Sequence, residues 1–194
     1  MNNPCKMTDL SQVDALTSPV RGEIVDVVDL MGASSIAEIA TVIGRPVDSL
    51  YYHVRKLLKV GLLVETEKRK ARRQTESVYD LPGRPMSLDY DSTDSEFIRR
   101  LIGSIAGMLR LTGRDFKAAF DKQLVRDSVN GRNVIHSRAL GWFTDEEVRE
   151  IRAKIQETIA TFRSSTRTRK SDSRLYALTT ILVPMESKMS CSDE

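Results

Sequence analysis

Two cysteines, Cys5 and Cys191, and two histidines, His53 and His136, are all the thiol and imidazole chemistry in this chain of 194 residues. Each cysteine lies near an end of the sequence, which fits neither a disulfide framework nor a zinc knuckle. The histidines are too far apart in sequence to suggest a metal or catalytic cluster. Long apolar runs are missing as well. The longest uncharged stretch, Leu175 to Met185, is well short of the roughly 20 apolar residues a membrane helix needs. Met1 to Leu10 is polar and has no apolar signal core, so the expected location is cytoplasmic, with no membrane partner. No Gly-rich Lys-Ser/Thr phosphate loop, His-Glu-x-x-His or Gly-x-Ser-x-Gly occurs. These absences argue against an enzyme and call for no cofactor and no metal.

What remains is a globular composition of one or two domains, with an uneven charge. Residues 45–73 hold nine Lys or Arg against Asp48, Glu65 and Glu67, a local charge of +6 in a chain whose total is +3. The rest is therefore slightly acidic. A concentrated basic block is the footprint of a polyanion binder, because each neutralised phosphate releases condensed counterions. On charge alone a solvated loop is the commoner source of such a run, and the spacing inside the block decides.

Ser18-Pro19 reads as an N-cap with proline in the first turn, and Gly32 as the stop. Between them Val20, Ile24, Val27, Val28 and Met31 form one apolar stripe. Ser35 with Glu38 is a capping box for a second helix carrying Ile36, Ile39, Ala40 and Ile43, closed by Gly44. Arg45-Pro46 turns into a third, with Leu50, Val54, Leu57 and Leu58 inward and an end near Gly61. Its other face presents Asp48, Tyr52, Arg55 and Lys59 at i, i+4, i+7 and i+11, flanked by Arg45 and Lys56. Leu62-Leu63-Val64 and Ser77–Leu81 read as two strands, with the cation-rich Lys68–Arg73 as the tip between them. Helices this short are marginal alone, so their stability has to come from packing on one another.

Three helices followed by a basic hairpin is a winged helix-turn-helix layout. The stretch Ser49-Leu50-Tyr51-Tyr52-His53-Val54-Arg55-Lys56-Leu57-Leu58-Lys59-Val60-Gly61-Leu62-Leu63, with the return strand Val78-Tyr79-Asp80-Leu81, resembles ArsR-type winged-helix transcriptional regulators over residues 17–82. Two departures stand out: Val47 where that family often has Ser or Thr, and no cysteine motif for arsenic or zinc. The likeness is therefore to metal-independent members with an appended C-terminal domain. The resemblance implies duplex DNA as partner, bound by a homodimer. A recognition helix at about 46–60 would enter the major groove, and a wing at 65–76 would follow the backbone or minor groove. The implied contacts are Arg45, Asp48, Ser49, Tyr51, Tyr52, Arg55, Lys56 and Lys59 on the helix, with Lys68, Arg69, Lys70, Arg72 and Arg73 on the wing.

Each has a plainer role beside the functional one. Asp48 either accepts from a cytosine amino group or simply suits the first turn of a helix. Tyr52 faces outward, whereas Tyr51 is expected beside Leu58. Arg55 reads a base or, by default, positions a phosphate. His53, at the edge of the core stripe, is expected as a packed structural histidine.

Every Phe and the single Trp fall after residue 95, which places a linker at 83–92 and a second domain at 93–183, between tails at 1–16 and 184–194. Thr93 with Glu96 should cap a helix reaching Thr112 and, through Gly113, Leu124. Its apolar residues cover more than one face. Phe97, Leu101, Gly103, Ile105, Gly107 and Met108 are the expected dimer interface, the glycines allowing close helix approach. Asn133–Phe143 and Leu175–Val183 read as strands around a helix capped by Thr144 and Glu147, with Ser164–Ser173 as a mobile loop. Trp142, Phe143 and Met108 are expected in the core. The fold class is thus mainly α with small β: an N-terminal winged helix-turn-helix plus a C-terminal α/β dimerisation domain. The function that follows is a homodimeric DNA-binding transcription regulator, with room for a small-molecule effector that the sequence does not name. The alternative is a winged-helix protein-interaction module, since fold does not fix function.

Overall fold

A helix of 13 residues, Pro19–Met31, starts where Pro19 fits the first turn and stops at Gly32, whose φ of 80° few other residues adopt. The computed structural model describes residues 4–71, 74–88, 93–126, 131–164 and 171–186. In chain order its elements are β1 (Cys5–Met7), α1 (Leu10–Ala15), α2 (Pro19–Met31), β2 (Ser34–Ser35), α3 (Ile36–Ile43), α4 (Val47–Lys59), β3 (Val64–Ala71), β4 (Gln74–Asp80), β5 (Met86–Leu88), α5 (Ser95–Asp121) and α6 (Asp145–Ser164). The chain divides into two compact units, essentially Met1–His136 and the residues from Ser137 on. Among the described residues no helix is long and apolar enough to cross a membrane.

In the first unit the capping signals act where the sequence puts them. Ser35 Oγ accepts from the Glu38 backbone N–H, and the Glu38 carboxylate accepts from the Ser35 N–H at 2.8 Å. Gly44 ends α3 in the left-handed region. The apolar stripes of α2, α3 and α4 then meet. Ile24, Val28, Ile39, Leu50, Val54 and Leu57 are all but completely buried, and Leu62 and Leu63 close the core beneath them. Leu62 and Leu63 are thus core-filling residues ahead of β3 rather than strand residues. The sheet order is β2-β4-β3, antiparallel throughout, with a bulge between Glu65 and Glu67.

The hairpin is longer than its hydrophobic pattern suggests. Lys68, Arg69 and Lys70 lie within β3, paired opposite Ser77, Glu76 and Thr75, because backbone pairing continues past the last buried side chain. Arg72 and Arg73 lie outside the described residues, as do Cys191 and most of the expected 164–173 loop, residues 165–170.

The expected N-terminal tail is structured instead. β1 pairs parallel to β5, and α1 is held by an Asp9/Gln12 capping box with Val13 fully buried. The expected linker contributes β5. The division of the chain therefore falls beyond α5, which packs on α1 and α2. Asp94, not Thr93, caps α5, and the helix runs unbroken through Gly113.

In the second unit α6 begins as expected. Glu147 accepts from the Thr144 backbone N–H at 2.7 Å, and this bond holds its carboxyl below the usual carboxylate range. The rest departs from expectation. Asn133–Phe143 and Leu175–Val183 carry no strand pairing among the described residues, and α6 buries no residue. Trp142, expected in the core, is 77% exposed, and Phe143 is more than half exposed. The alternating apolar pattern is present, but among the described residues it is not matched by strand pairing or burial.

Candidate nucleic-acid interface

α4 is two-sided. Leu50, Val54 and Leu57 fix its inner face in the core. The outer face shows Asp48, Ser49, Tyr52, Arg55, Lys56 and Lys59 to solvent. Tyr52 is 60% exposed, and Tyr51, expected against Leu58, is itself 45% exposed. Both phenols are therefore available. Lys56 Nζ lies 5.6 Å from the centre of the Tyr52 ring, a cation–π distance that pre-orders both side chains. Ser49 donates its hydroxyl to the Pro46 carbonyl at 2.7 Å, bracing a helix start that has no side-chain cap. Its oxygen keeps an acceptor site.

The basic block splits into two kinds of cation. Arg45 is half-buried and paired with Glu23 at 3.4 Å, and Glu23 is held again by Arg114 of α5 at 2.6 Å. Arg69 pairs with Glu38 at 2.7 Å, tying the hairpin to the first turn of α3. Partial burial alone would raise the Glu38 value, but the Ser35 N–H and the Arg69 guanidinium keep its carboxyl below the ordinary range. Arg45 and Arg69, both expected among the DNA contacts, are thus also tied to carboxylates of the fold. By contrast Arg55, Lys56, Lys59, Lys68 and Lys70 are exposed and have no carboxylate partner among the described residues. Lys68 and Lys70 alternate with Arg69 along β3, so they share the strand face opposite the one Arg69 uses.

His53 is half-buried, with its ring 5.4 Å from that of Tyr52. Its Nδ1 is buried without a hydrogen-bond partner. Burial first, then the charges of Arg21 and Arg45, hold its imidazole below the ordinary value. It sits behind the outer face as an uncharged packing group, in keeping with the structural role expected of it.

Between α3 and α4 the chain needs only Gly44, Arg45 and Pro46: glycine for the left-handed residue at φ 73°, proline for the extended entry into α4. Two short helices joined by so tight a turn, the second solvent-facing and cationic, is the arrangement that places one helix in a groove. Residues 16–66 match the model of a family described as a helix-turn-helix domain. The chain carries a helix-turn-helix domain. The match spans α2 to α4 and the start of β3, and it supports a DNA-binding regulator of transcription with DNA as partner. No curated protein matches the chain.

α5 shows where the expected dimer residues lie. Phe97 and Gly107 are buried in the chain's own first unit. A Cβ on Gly107 would come within 2.8 Å of the Thr17 carbonyl oxygen, and one on Gly103 within 3.3 Å of Thr17 Cγ2. The two glycines therefore let α5 approach the turn between α1 and α2. Leu101, Ile105 and Met108 are half-buried beside them. The outward stripe is Ile98, Ile102, Leu109, Phe116 and Phe120, all at least 40% exposed.

Sequence reasoning missed Glu23 and Glu38 as holders of two of the predicted arginines. Glu23 carries no local signal, because its partners Arg45 and Arg114 lie far along the chain. Glu38 was read only as a cap, and its second role depends on hairpin register.

Proposed function

We propose that this protein is a sequence-specific duplex-DNA-binding transcription regulator of ArsR-like, metal-independent type that works as a homodimer. α4 enters the major groove and β3–β4 is the wing. Tyr52 and Arg55 face base edges, Tyr51, Lys56 and Lys59 flank them, and Lys68 and Lys70 hold phosphates. The outward stripe of α5 joins two copies, so that two half-sites lie about one helical turn, roughly 34–36 Å, or a multiple of it apart. The work is binding, with no bond made or broken.

The observation that carries this reading is the separation of free from tied cations. Arg45 and Arg69 brace the frame, while Arg55, Lys56, Lys59, Lys68 and Lys70, with no carboxylate partner among the described residues, lie on the exposed faces of α4 and the hairpin. Free cations held on a rigid scaffold suit a ligand with regularly spaced phosphates. Selection of random duplex DNA by the purified protein tests it. The expected result is enrichment of an inverted repeat whose retention falls steeply with salt. Retention without any preferred sequence would overturn the specific-reader assignment.

A further inference from the structure

The carboxylate of Glu23 holds two arginines that come from distant parts of the chain. Arg114 of α5 grips both of its oxygens, at 2.6 Å to Oε1 and 3.3 Å to Oε2, a two-pronged geometry that fixes orientation as well as distance. Arg45 Nε donates to Oε2 from the turn between α3 and α4, at 3.4 Å. Glu23 is the most sheltered of the three, with 14% of its side chain exposed against 34% for Arg45 and 41% for Arg114. The residue after it, Ile24, is fully buried, as is Val28 one turn on, so the acid stands on a rigid base.

The two arginines connect elements that core packing alone does not. Leu50, Val54 and Leu57 anchor the body of α4. Its N-terminal end, ahead of Leu50, has no side-chain cap. Among the described residues, the polar side-chain contacts at that end are Ser49 to the Pro46 carbonyl, which stays within the turn, and Arg45 to Glu23, which leaves it. Arg114, at the far end of the junction, is seven residues after Gly107 and eleven after Gly103. It therefore shares their face of α5, about half a turn from the outward stripe of Ile98, Ile102, Leu109, Phe116 and Phe120.

We propose that Glu23 and Arg114 are positioning residues that fix where the entry of α4 stands relative to α5, and so set the half-site spacing this protein accepts. This rests on the proposed reading of α4 as the helix in the groove and of the α5 stripe as the join between copies. One face of α5 then meets the second copy while the other holds the frame of α4. The separation of the two α4 helices in the dimer is passed through Arg114, Glu23 and Arg45. Glu23 and Arg114 touch no DNA in this arrangement.

The full-length wild type, Arg114→Ala and Arg114→Lys are compared on the selected duplex and on duplexes whose half-sites are moved together or apart by one and two base pairs. In Arg114→Ala the preference for the selected spacing should fall about 5- to 10-fold, the low end of coupling between sites because both pairs are part-exposed. The slope against salt, which counts phosphates, and the dimer mass by sedimentation should match the wild type. Arg114→Lys keeps the charge without the two-pronged grip and should fall between. An unchanged preference in folded Arg114→Ala, including an equal loss of affinity at every spacing, overturns the proposal and leaves the proposed function standing. A second readout needs no DNA. Amide exchange across Gly44–Leu50 should be faster in Arg114→Ala and in Glu23→Gln, with Val54–Leu57 as protected as in the wild type. Equal protection of Gly44–Leu50 in all three proteins overturns the junction itself. A wild type that enriches no two-part site overturns the homodimeric reader of the proposed function and the spacing role with it.

Discussion

Leu57 and Leu182 are both leucines in strongly apolar segments, yet the first is wholly buried and the second is 45% exposed. The contrast holds for the units around them. In the first, the inner helix stripes meet one another, α2 on α3 and α4 and α5 on α1 and α2, with the sheet closing one side, and only the outward stripe of α5 stays exposed. In the second, α6 buries no residue and the apolar side chains of Leu140–Phe143 and Leu175–Val183 that are described stay largely exposed. An apolar pattern specifies which face must be covered. It does not say that the covering surface belongs to the same chain.

Matched substitutions break the comparison most sharply. Leu57→Ala should cost about 2–5 kcal/mol of unfolding free energy, since it leaves a cavity among fully packed neighbours. Leu182→Ala, measured by denaturant unfolding in dilute protein, should stay within about 0.5 kcal/mol, as expected for a surface position. Equal losses would mean that the second unit is already packed within one chain.

A pair on α5 comes next. Gly107→Val drives a side chain into the Thr17 carbonyl and should destabilise by about 1–3 kcal/mol. Gly113→Ala meets nothing within 4 Å and should stabilise by up to about 1 kcal/mol through helix propensity. Thermal unfolding separates them. A tolerated Gly107→Val would return that glycine to the dimer interface.

The boundaries of α2, α3 and α4 were legible in the sequence because caps are local. Ser18-Pro19, Ser35 with Glu38, Gly44 and Gly61 each act within a few residues, and the structure puts helix ends beside every one of them. α1 carries the same kind of local signal in Asp9 and Gln12, although the polar stretch around it reads as a tail. The split of the cations was not legible, because Arg45–Glu23 and Arg69–Glu38 depend on tertiary packing and hairpin register. Nor was the inward turn of Gly103 and Gly107: small residues at helical spacing invite close approach without naming the neighbour. The strands expected in the second unit were not legible because apolar alternation marks side chains that favour cover without fixing a backbone partner.

Within the basic block, the double variant Lys68→Ala/Lys70→Ala should flatten the slope of log affinity against log salt by about 0.9 per lysine and leave the unfolding curve unchanged. Arg69→Ala should weaken the hold of the hairpin on α3 instead, seen as faster amide exchange across Lys68–Ala71. Identical behaviour of all three positions would erase the distinction between free and tied cations.

The smallest expected effect is titration of His53. Its value is lower in the folded protein than in the unfolded chain, so folding favours the neutral ring. That contribution is complete above the ordinary imidazole value of about 6.5 and is lost as the pH falls from there through the folded value. Asp9, Glu38 and Glu147, all lowered, keep their contributions until the pH drops toward the carboxylate range of about 4. Stability should therefore decline modestly between pH 7 and 5 in the wild type and less in His53→Leu. A wild type flat over that interval would remove His53 from the account.

The most direct test of the central claim is the affinity of the selected duplex for the wild type and for Tyr52→Ala/Arg55→Ala/Lys56→Ala, compared at one salt concentration with unfolding curves in parallel. The account predicts a loss of at least about 100-fold, since each good base or phosphate contact is worth about 1–3 kcal/mol, with unfolding unchanged because all three side chains point away from the core. Undiminished binding by the folded triple variant would contradict it, and would mean that the outer face of α4 is not what this protein uses to hold DNA.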